Sequence, residues 1–489
     1  MKKEFLKGLA EKLGGHGLVV ASFREPYTHV YDGEELRMRK NSGGVVTALD
    51  PLMKSLGGKW VAFGLEEADR ETVNDRNECA VKSPEGDYTL KRVFISKTLE
   101  EKYSSGACNS ALWPLAHMVY VRPKFVDEEW EAYKQANKLV AQTIAETCGE
   151  EDTVWINDYQ LLLVASFLKK LKPKVTTAFY WHIPWPAASV ISICPWAEEL
   201  MEGMLAHDVV GFQTNYYAAN FLNTVDAIFE ARVDRVDSSA QYQGKKTKVV
   251  ANPISIDYDG VRDKIKGMPS ERIAAILKKY GVKKNAFAIG VDRMDYTKGI
   301  KEKLLAVDTL IKKHPEYVSQ FTLLQIASPT RMHIGEYQRA AEEVEELAEH
   351  VNWEHSTSKW KPIRLVNEFV DYEEILALYS ASNMCVITSL DDGMNLVSKE
   401  YVAASDDGIL VLSEFTGASL ELNGAITANP YSLSSIANAM HAGLQMEKKE
   451  RTARLEQMHR EIQENDVFHW ADKFITEIDK ERRRKNQGP

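Results

Sequence analysis

Short apolar runs alternate with segments of helical spacing along most of this chain, and the alternation predicts parallel sheets covered by helices on both faces. The first run, residues 17–23 (GLVVASF), reads as a strand that delivers Arg24 at its end. A loop follows, and then Gly43 and Gly44 precede apolar positions at helical spacing (Val46, Leu49, Leu52, Leu56). Residues 60–64 and 91–96 predict strands, residues 103–117 a loop that turns apolar around Trp113 and Pro114, and residues 127–148 a helix carrying Trp130, Tyr133, Val140 and Ile144. The alternation is cleanest from residue 153 onward. A strand over 153–157 ends at Asp158 and Tyr159, the helical LLLVASFLKKL follows, and a strand over 176–180 runs into WHIPWP, so that His182 stands at a strand's carboxyl end. A helix around 196–205, the strand VVGFQT and a helix over 217–229 continue the pattern.

Residues 231–248 are polar and read as a surface excursion or hairpin. The pattern restarts after the proline-containing VVANPISIDYDG, which places a domain boundary between residues 252 and 253. In the second domain, residues 253–449, strands are predicted at 286–291, 321–326, 363–366, 384–389 and 408–413. The charged tail carries Leu455, Ile462, Trp470, Phe474 and Ile478, and predicts one long helix over about residues 450–485 that returns to the first domain.

A chain of 489 residues is too long for a single simple core, which agrees with two lobes. With 44% hydrophobic and 27% charged residues it has the make-up of a soluble globular protein, and no apolar run approaches the ~20 residues of a membrane helix. A net charge of -10 argues against a general nucleic-acid binder but leaves room for a local basic pocket that takes a phosphorylated small molecule. The five cysteines are scattered and show no CxxC spacing, so neither a disulfide framework nor a zinc site is expected. Residues 1–23 show no apolar core of signal-peptide length, and a cytoplasmic location is the expectation. The sequence leaves open whether the chain forms a homo-oligomer.

Open parallel sheets bind ligands at the carboxyl ends of their strands. Arg24, Asp158, His182, Arg293, Arg331 and Asp392 are all predicted there. In GVDRMDYTKGI, residues 290–300, a strand stops at Arg293, Lys298 follows five residues on, and Gly299 opens a helix. Two cations beside unpaired backbone N–H groups suit an anion; an ordinary strand-to-helix turn with solvated charges fits this segment equally well. In SLDDGMNLVSKEY, residues 389–401, a helix start follows Asp391, Asp392 and Gly393, and Glu400 lies on a face that could reach ribose hydroxyls. Asp392 could also be a simple N-cap, and Trp113 simple core. No GxGxxG, P-loop, HExxH or GxSxG motif occurs, which removes support from the usual hydride-transfer, P-loop and hydrolase chemistries. The combination that remains suits the departure of a diphosphate.

Together GVDRMDYTKGI, DDGMNLVSKEYVAAS, HIPWP, WINDYQLL and LVLSEFTGAS resemble the trehalose-6-phosphate synthase family, the retaining nucleotide-sugar glycosyltransferases of family 20, over about residues 19 to 446. Glucosylglycerol-phosphate synthases are similar in the same motifs. The resemblance implies an α/β fold of the GT-B type, two Rossmann-like domains facing each other across a cleft, with the acceptor bound by residues 1–252 and the nucleotide sugar by 253–449. It implies transfer of glucose from UDP-glucose or GDP-glucose to glucose 6-phosphate, with retention and with neither metal nor cofactor. Nucleic acid and membrane have no part in it. Another phosphorylated acceptor, such as glycerol 3-phosphate, or a non-catalytic sugar-phosphate sensor is the alternative.

By the same resemblance Arg293, Lys298, His182 and Asp392 form the catalytic set, Arg293 and Lys298 being the diphosphate clamp and His182 lying near the reacting carbon. Gly44 closes on the donor; Asp392, Gly393, Met394, Asn395, Leu396 and Val397 hold its sugar hydroxyls and phosphates; Glu400 takes the ribose. Arg24, Trp113, Asp158, Tyr159 and Arg331 resemble the acceptor pocket, with the arginines on the phosphate. The chain departs from the family where HDYH is common, having Asn157, Asp158, Tyr159 and Gln160, and where a tyrosine is common nine residues before Trp113, having Ser104. Tyr103 next door is the expected substitute, and the acceptor is what these departures bear on.

Overall fold

The computed structural model describes residues 8–41 and 43–486. Ser42 in the Gly43–Gly44 turn and the first seven residues of the segment read for a leader lie outside the described residues. The chain divides into two compact units, one running to Ile254 and taken up again from Val467, the other Ser255–Asp466.

In the first unit β1 (Leu18–Arg24) is followed by β2 (Tyr27–Asp32) and β3 (Glu35–Lys40), then by helix α1 (Gly44–Leu56). Strands β4 (Lys59–Phe63), β5 (Glu78–Val81), β6 (Tyr88–Val93), β7 (Thr153–Asn157), β8 (Thr176–Tyr180), β9 (Val209–Phe212), β10 (Arg232–Asp234), β11 (Ser239–Tyr242) and β12 (Lys245–Ala251) complete it. Ten of these form one sheet in the order β10-β11-β12-β9-β8-β7-β1-β4-β6-β5, parallel from β12 to β6. Every residue of β7, β8 and β9 is buried, which is why these strands read as unbroken apolar runs rather than alternating ones.

Three features of this unit differ from the sequence reading. The loop expected after β1 is the antiparallel β2–β3 hairpin, whose second strand is exposed throughout and therefore carries no burial pattern to detect. The polar residues 231–248 do form a hairpin, β11–β12, but β12 also joins the main sheet parallel to β9. Residues expected to be a loop form a π-helix over Glu101–Leu112 that runs into a short α-helix, Trp113–Ala116. Its i to i−5 spacing is neither of the periods that reveal helices and strands in a sequence.

The second unit holds a single sheet of six parallel strands: β13 (Ala288–Arg293), β14 (Leu323–Ser328), β15 (Ile363–Val366), β16 (Met384–Ile387), β17 (Ile409–Ser413) and β18 (Ile426–Ala428), in the order β15-β14-β13-β16-β17-β18. Helix α2 (Ile300–Lys313) follows β13, and α3 (Leu396–Ala404) follows β16. Beneath the end of β13 the fully buried Lys303 of α2 donates to Asp292 at 2.7 Å and to Gln325 at 3.0 Å, so its charge is paired and a second proton finds oxygen.

The tail is not one helix. Helix α4 (Lys448–Glu464) ends at Asn465, whose backbone leaves the helical region, and α5 (Val467–Asn486) begins anew. Only α5 belongs to the first unit, where Trp470 and Phe474 pack on Trp155 and Tyr180 with ring centroids 5.0–5.3 Å apart.

Candidate functional site

Each sheet has a point where successive connections leave in opposite directions. In the second unit it lies between β13 and β16, and in the first between β1 and β7. A crevice forms outside the strand ends at such a point, which is where doubly wound folds bind ligands. The loops after β13 and β16 carry Lys298, Asp392 and Asn395, with Arg293 the last residue of β13; those after β1 and β7 carry Glu25, Asp158 and Tyr159, with Arg24 the last residue of β1.

At the second unit's switch point, Gly299 in left-handed conformation (φ 60°) ends a 3₁₀ turn over Tyr296–Lys298 and starts α2. That turn brings Lys298 to Asp392, whose Oδ2 accepts from its Nζ at 2.7 Å. The same oxygen accepts from Asn395 Nδ2 at 3.0 Å and Ser389 Oγ at 3.3 Å. Asn395, not Asp392, is the N-cap of α3: its Oδ1 accepts from Ser398 N at 3.0 Å. Asp392 is therefore a hub that ties the β13 loop to the β16 loop. Helix geometry leaves the N–H groups of Leu396 and Val397 without acceptors inside α3, at the end where the helix dipole favours anions.

A brace holds this loop from below. Asp392 N donates to Phe415 O, Gly417 N to Asp392 O, and Ala418 N to Met394 O, at 2.8–3.1 Å. A Cβ on Gly417 would lie 2.2 Å from Gly393 O, so only glycine lets the brace approach so closely.

Between Arg293 and Lys298 lies Asp295, with a fully buried side chain. Its Oδ1 caps the turn through Thr297 N and Oγ1, both at 3.0 Å, while Oδ2 stands 3.7 Å from Arg293 and 3.8 Å from Arg331. Burial alone would raise this carboxyl, but Arg293, Arg331 and Lys298 outweigh it and hold the pKa below its ordinary value. Arg331 also donates to Tyr337 OH at 2.6 Å and sits at φ 52°. Glu400, in α3, receives Tyr372 OH at 3.4 Å, and burial pushes its carboxyl up to about 7 against the lowering effects of Tyr372 and Lys264.

At the first unit's switch point Asp158 adopts φ 74°, held there by Asp158 N donating to Tyr180 O at 2.8 Å and by its Oδ1 accepting from Tyr159 N and His182 N. Asp158, Arg331 and Asn395 are three of nine non-glycine residues with positive φ among the described residues. Such strain persists where surrounding bonds over-determine it, and it gathers at ligand sites. Burial pushes His182 down to about 3, so the imidazole is neutral. Its Nε2 stands 3.1 Å from Asn157 Oδ1, which can only accept, and this puts the proton on Nε2.

Several predicted site residues sit differently from expectation. Trp113 and Tyr159 are 5% and 1% exposed: the Trp113 ring packs on His117 and Tyr159, and Tyr159 OH donates to Asn109 Oδ1. Tyr103 does not replace the missing tyrosine, because its ring is buried and its hydroxyl donates to Gln160 O at 2.9 Å. Asn157 is buried as the hydrogen-bond partner of His182. Arg24 is exposed, as is Gly44, the first residue of α1. Asp295, Gly417 and Tyr372 were not among the predicted residues. Asp295 left a signal as a lone carboxylate between two cations in DRMDYTK, and Gly417 lies within the quoted LVLSEFTGAS.

Comparison with known proteins gives a consistent result. The model of glycosyltransferase family 20 matches residues 17–480. An α,α-trehalose-phosphate synthase [UDP-forming] 2 of Aspergillus niger is 34% identical over 96% of this chain and 98% of its own length. The 56 kDa subunit of the UDP-forming synthase of Saccharomyces cerevisiae is 33% identical over 95% of this chain and 94% of its own. Among solved structures, an E. coli protein bound with UDP-2-fluoro glucose superposes with a TM-score of 0.84 at 28% identity, covering 94% of this chain and 98% of that one. A Burkholderia xenovorans UDP-forming α,α-trehalose-phosphate synthase in complex with glucose 6-phosphate gives 0.84 at 27% identity, covering 94% and 99%.

Proposed function

This chain belongs to glycosyltransferase family 20, within the trehalose-6-phosphate synthases, and from that premise we propose that it moves glucose from UDP-glucose to glucose 6-phosphate, forming trehalose 6-phosphate with retention at the anomeric carbon. The observation that carries this reading is the cluster at the second unit's switch point: Lys298 held by Asp392 just ahead of α3, and Arg293 and Arg331 both facing Asp295. Such a transfer requires departure of a nucleoside diphosphate, and preorganised cations and helix N–H groups stabilise the charge that develops on it.

The donor's diphosphate is taken by Arg293, Lys298 and the N–H groups at Leu396 and Val397. Gly393, Met394 and Asn395 shape the loop for the transferred sugar, and Asp392 keeps Lys298 in place. Glu400 accepts from the ribose hydroxyls, and Gly44 approaches the donor with backbone alone. His182, neutral, lies beside the reacting carbon without adding charge. Arg24 and Arg331 hold the acceptor's phosphate and Asp158 its hydroxyls; Tyr159 and Trp113 support that pocket from within. A donor phosphate oxygen receives the acceptor's proton on the face where the new bond forms.

The test is release of UDP from UDP-glucose, with GDP-glucose in parallel, against glucose 6-phosphate, glycerol 3-phosphate and acceptor-free controls. Release that requires glucose 6-phosphate is expected. No release with any acceptor, while UDP-glucose binds, would overturn the reading. The buried Tyr103 hydroxyl gives the panel a purpose, since the acceptor phosphate lacks the phenol common in the family.

Glu400 makes donor affinity depend on pH. Its carboxyl, raised to about 7, is largely protonated at pH 6 and ionised at pH 8, and only the ionised form offers all its lone pairs to two ribose hydroxyls. The KM for UDP-glucose should fall as pH rises from 6 to 8, and Glu400→Gln should flatten that profile. A profile equally steep in the variant would remove Glu400 from the ribose.

A further inference from the structure

Arg293 and Arg331 are assigned above to different substrates, yet both guanidiniums face one oxygen. Asp295 Oδ2 stands 3.7 Å from the first and 3.8 Å from the second, is buried, and accepts no hydrogen bond. A buried carboxylate oxygen left without a hydrogen bond is costly, so its position calls for a cause. The cap does not supply one, because Oδ1 alone takes both the N–H and the hydroxyl of Thr297.

We propose that Asp295 is a positioning residue for both substrates: its Oδ2 is the shared counter-charge that sets the direction of Arg293 toward the donor diphosphate and of Arg331 toward the acceptor phosphate. The inference rests on the transferase reading above and adds to it the group that registers the two substrates against each other.

Two guanidiniums drawn to the same oxygen lie close enough to repel, and Lys298 adds a third positive charge nearby. Asp295 offsets that repulsion before substrate arrives. At distances near 3.7 Å the attraction orients the guanidiniums without closing a hydrogen bond between either of them and Oδ2. Arg331 is further fixed by its bond to Tyr337 OH. The sequence places this carboxylate two residues after Arg293 and the 3₁₀ turn folds it inward, so one short segment carries both the donor cation and the group that aims it.

Asp295→Asn separates this role from the cap. The amide keeps Oδ1 for Thr297 but turns a neutral NH₂ toward the arginines. In the full-length protein we expect the KM for UDP-glucose and for glucose 6-phosphate each to rise about tenfold and kcat to fall, with the melting temperature little changed. Thr297→Val, which removes a hydrogen bond from the cap and leaves Oδ2 untouched, should keep both KM values within twofold. In an Arg331→Ala background, Asp295→Asn should still weaken UDP binding, measured by calorimetry, but no longer alter glucose 6-phosphate binding. Unchanged KM values in folded Asp295→Asn, an effect on one substrate only, or the same losses in Thr297→Val would each overturn the proposal. Wild-type protein run in the same assay keeps the two readings apart: wild type silent with every acceptor means that the transferase reading has failed and this one with it, while an active wild type beside an unaffected Asp295→Asn means that only the positioning role has.

Discussion

Arg293→Ala is expected to lower the rate of UDP release about 10²–10³-fold, the loss seen when one preorganised group that stabilises developing negative charge is removed. The fold should tolerate the change. Arg293 ends β13 with 45% of its side chain exposed, and it stands 3.7 Å from Asp295 without a hydrogen bond to that carboxylate oxygen. Removing it leaves that buried carboxylate with Arg331 and Lys298, which also lower its pKa, so no buried charge is stranded. Thermal unfolding should therefore move little while turnover collapses. Arg293→Lys sharpens the point, because it keeps the charge but loses the planar fork that meets two phosphate oxygens at once. Its activity should fall between those of wild type and Arg293→Ala. Wild-type turnover in a folded Arg293→Ala variant would dismantle the clamp.

The parts of this molecule that were legible in its sequence are those where one physical rule dominates. Strands β7 and β8 are buried on both faces, so their limits can be read from apolar runs alone, and the residues that follow them, Asp158 and His182, are placed by the strand ends. The β2–β3 hairpin and the π-helix over Glu101–Leu112 were not legible: one has a fully exposed strand, the other a repeat of five that mimics neither common period. The tail's division at Asn465 turns on one residue's backbone, which a pattern of apolar spacing does not register.

In the site, the cations could be read but not their counter-charges. An N-cap was the alternative reading of Asp392, because it precedes a helix; the chain instead spends three more residues, adopts φ 79° at Asn395 and caps there, which frees Asp392 to bind Lys298. Trp113 and Tyr159 were placed by analogy in the acceptor pocket, and in the structure both are buried, Trp113 packed on His117 and Tyr159 bonded to Asn109. Analogy transfers residue identity; it does not transfer exposure, which depends on neighbours such as the π-helix that this chain supplies.

Gly299→Ala should damage the enzyme as severely as loss of Arg293, but by a different route. Gly299 has φ 60°, a region that costs an L-residue about 1–2 kcal/mol. Its added Cβ would stand 2.0 Å from the backbone oxygen of Thr388, just beyond β16, and backbone on both sides cannot step aside as a flexible side chain can. Relieving that overlap adds about 1–3 kcal/mol. The contact that must open is the one joining the two loops of the site: Thr388 Oγ1 donates to Gly299 O at 2.7 Å, Leu390 N to Thr297 O at 2.8 Å, and Lys298 to Asp392. Pushing these loops apart moves Lys298 away from the amino end of α3, and a misplacement near 1 Å costs about 10²-fold in rate. The expected result is a melting transition of the second unit lowered by about 2–4 °C for each kcal/mol lost, together with turnover reduced about 100-fold at temperatures where the variant is still folded. Arg293→Ala should lose rate without losing stability, whereas Gly299→Ala should lose both. A Gly299→Ala protein that melts and turns over like wild type would mean that the close approach at Thr388 does not hold the clamp together.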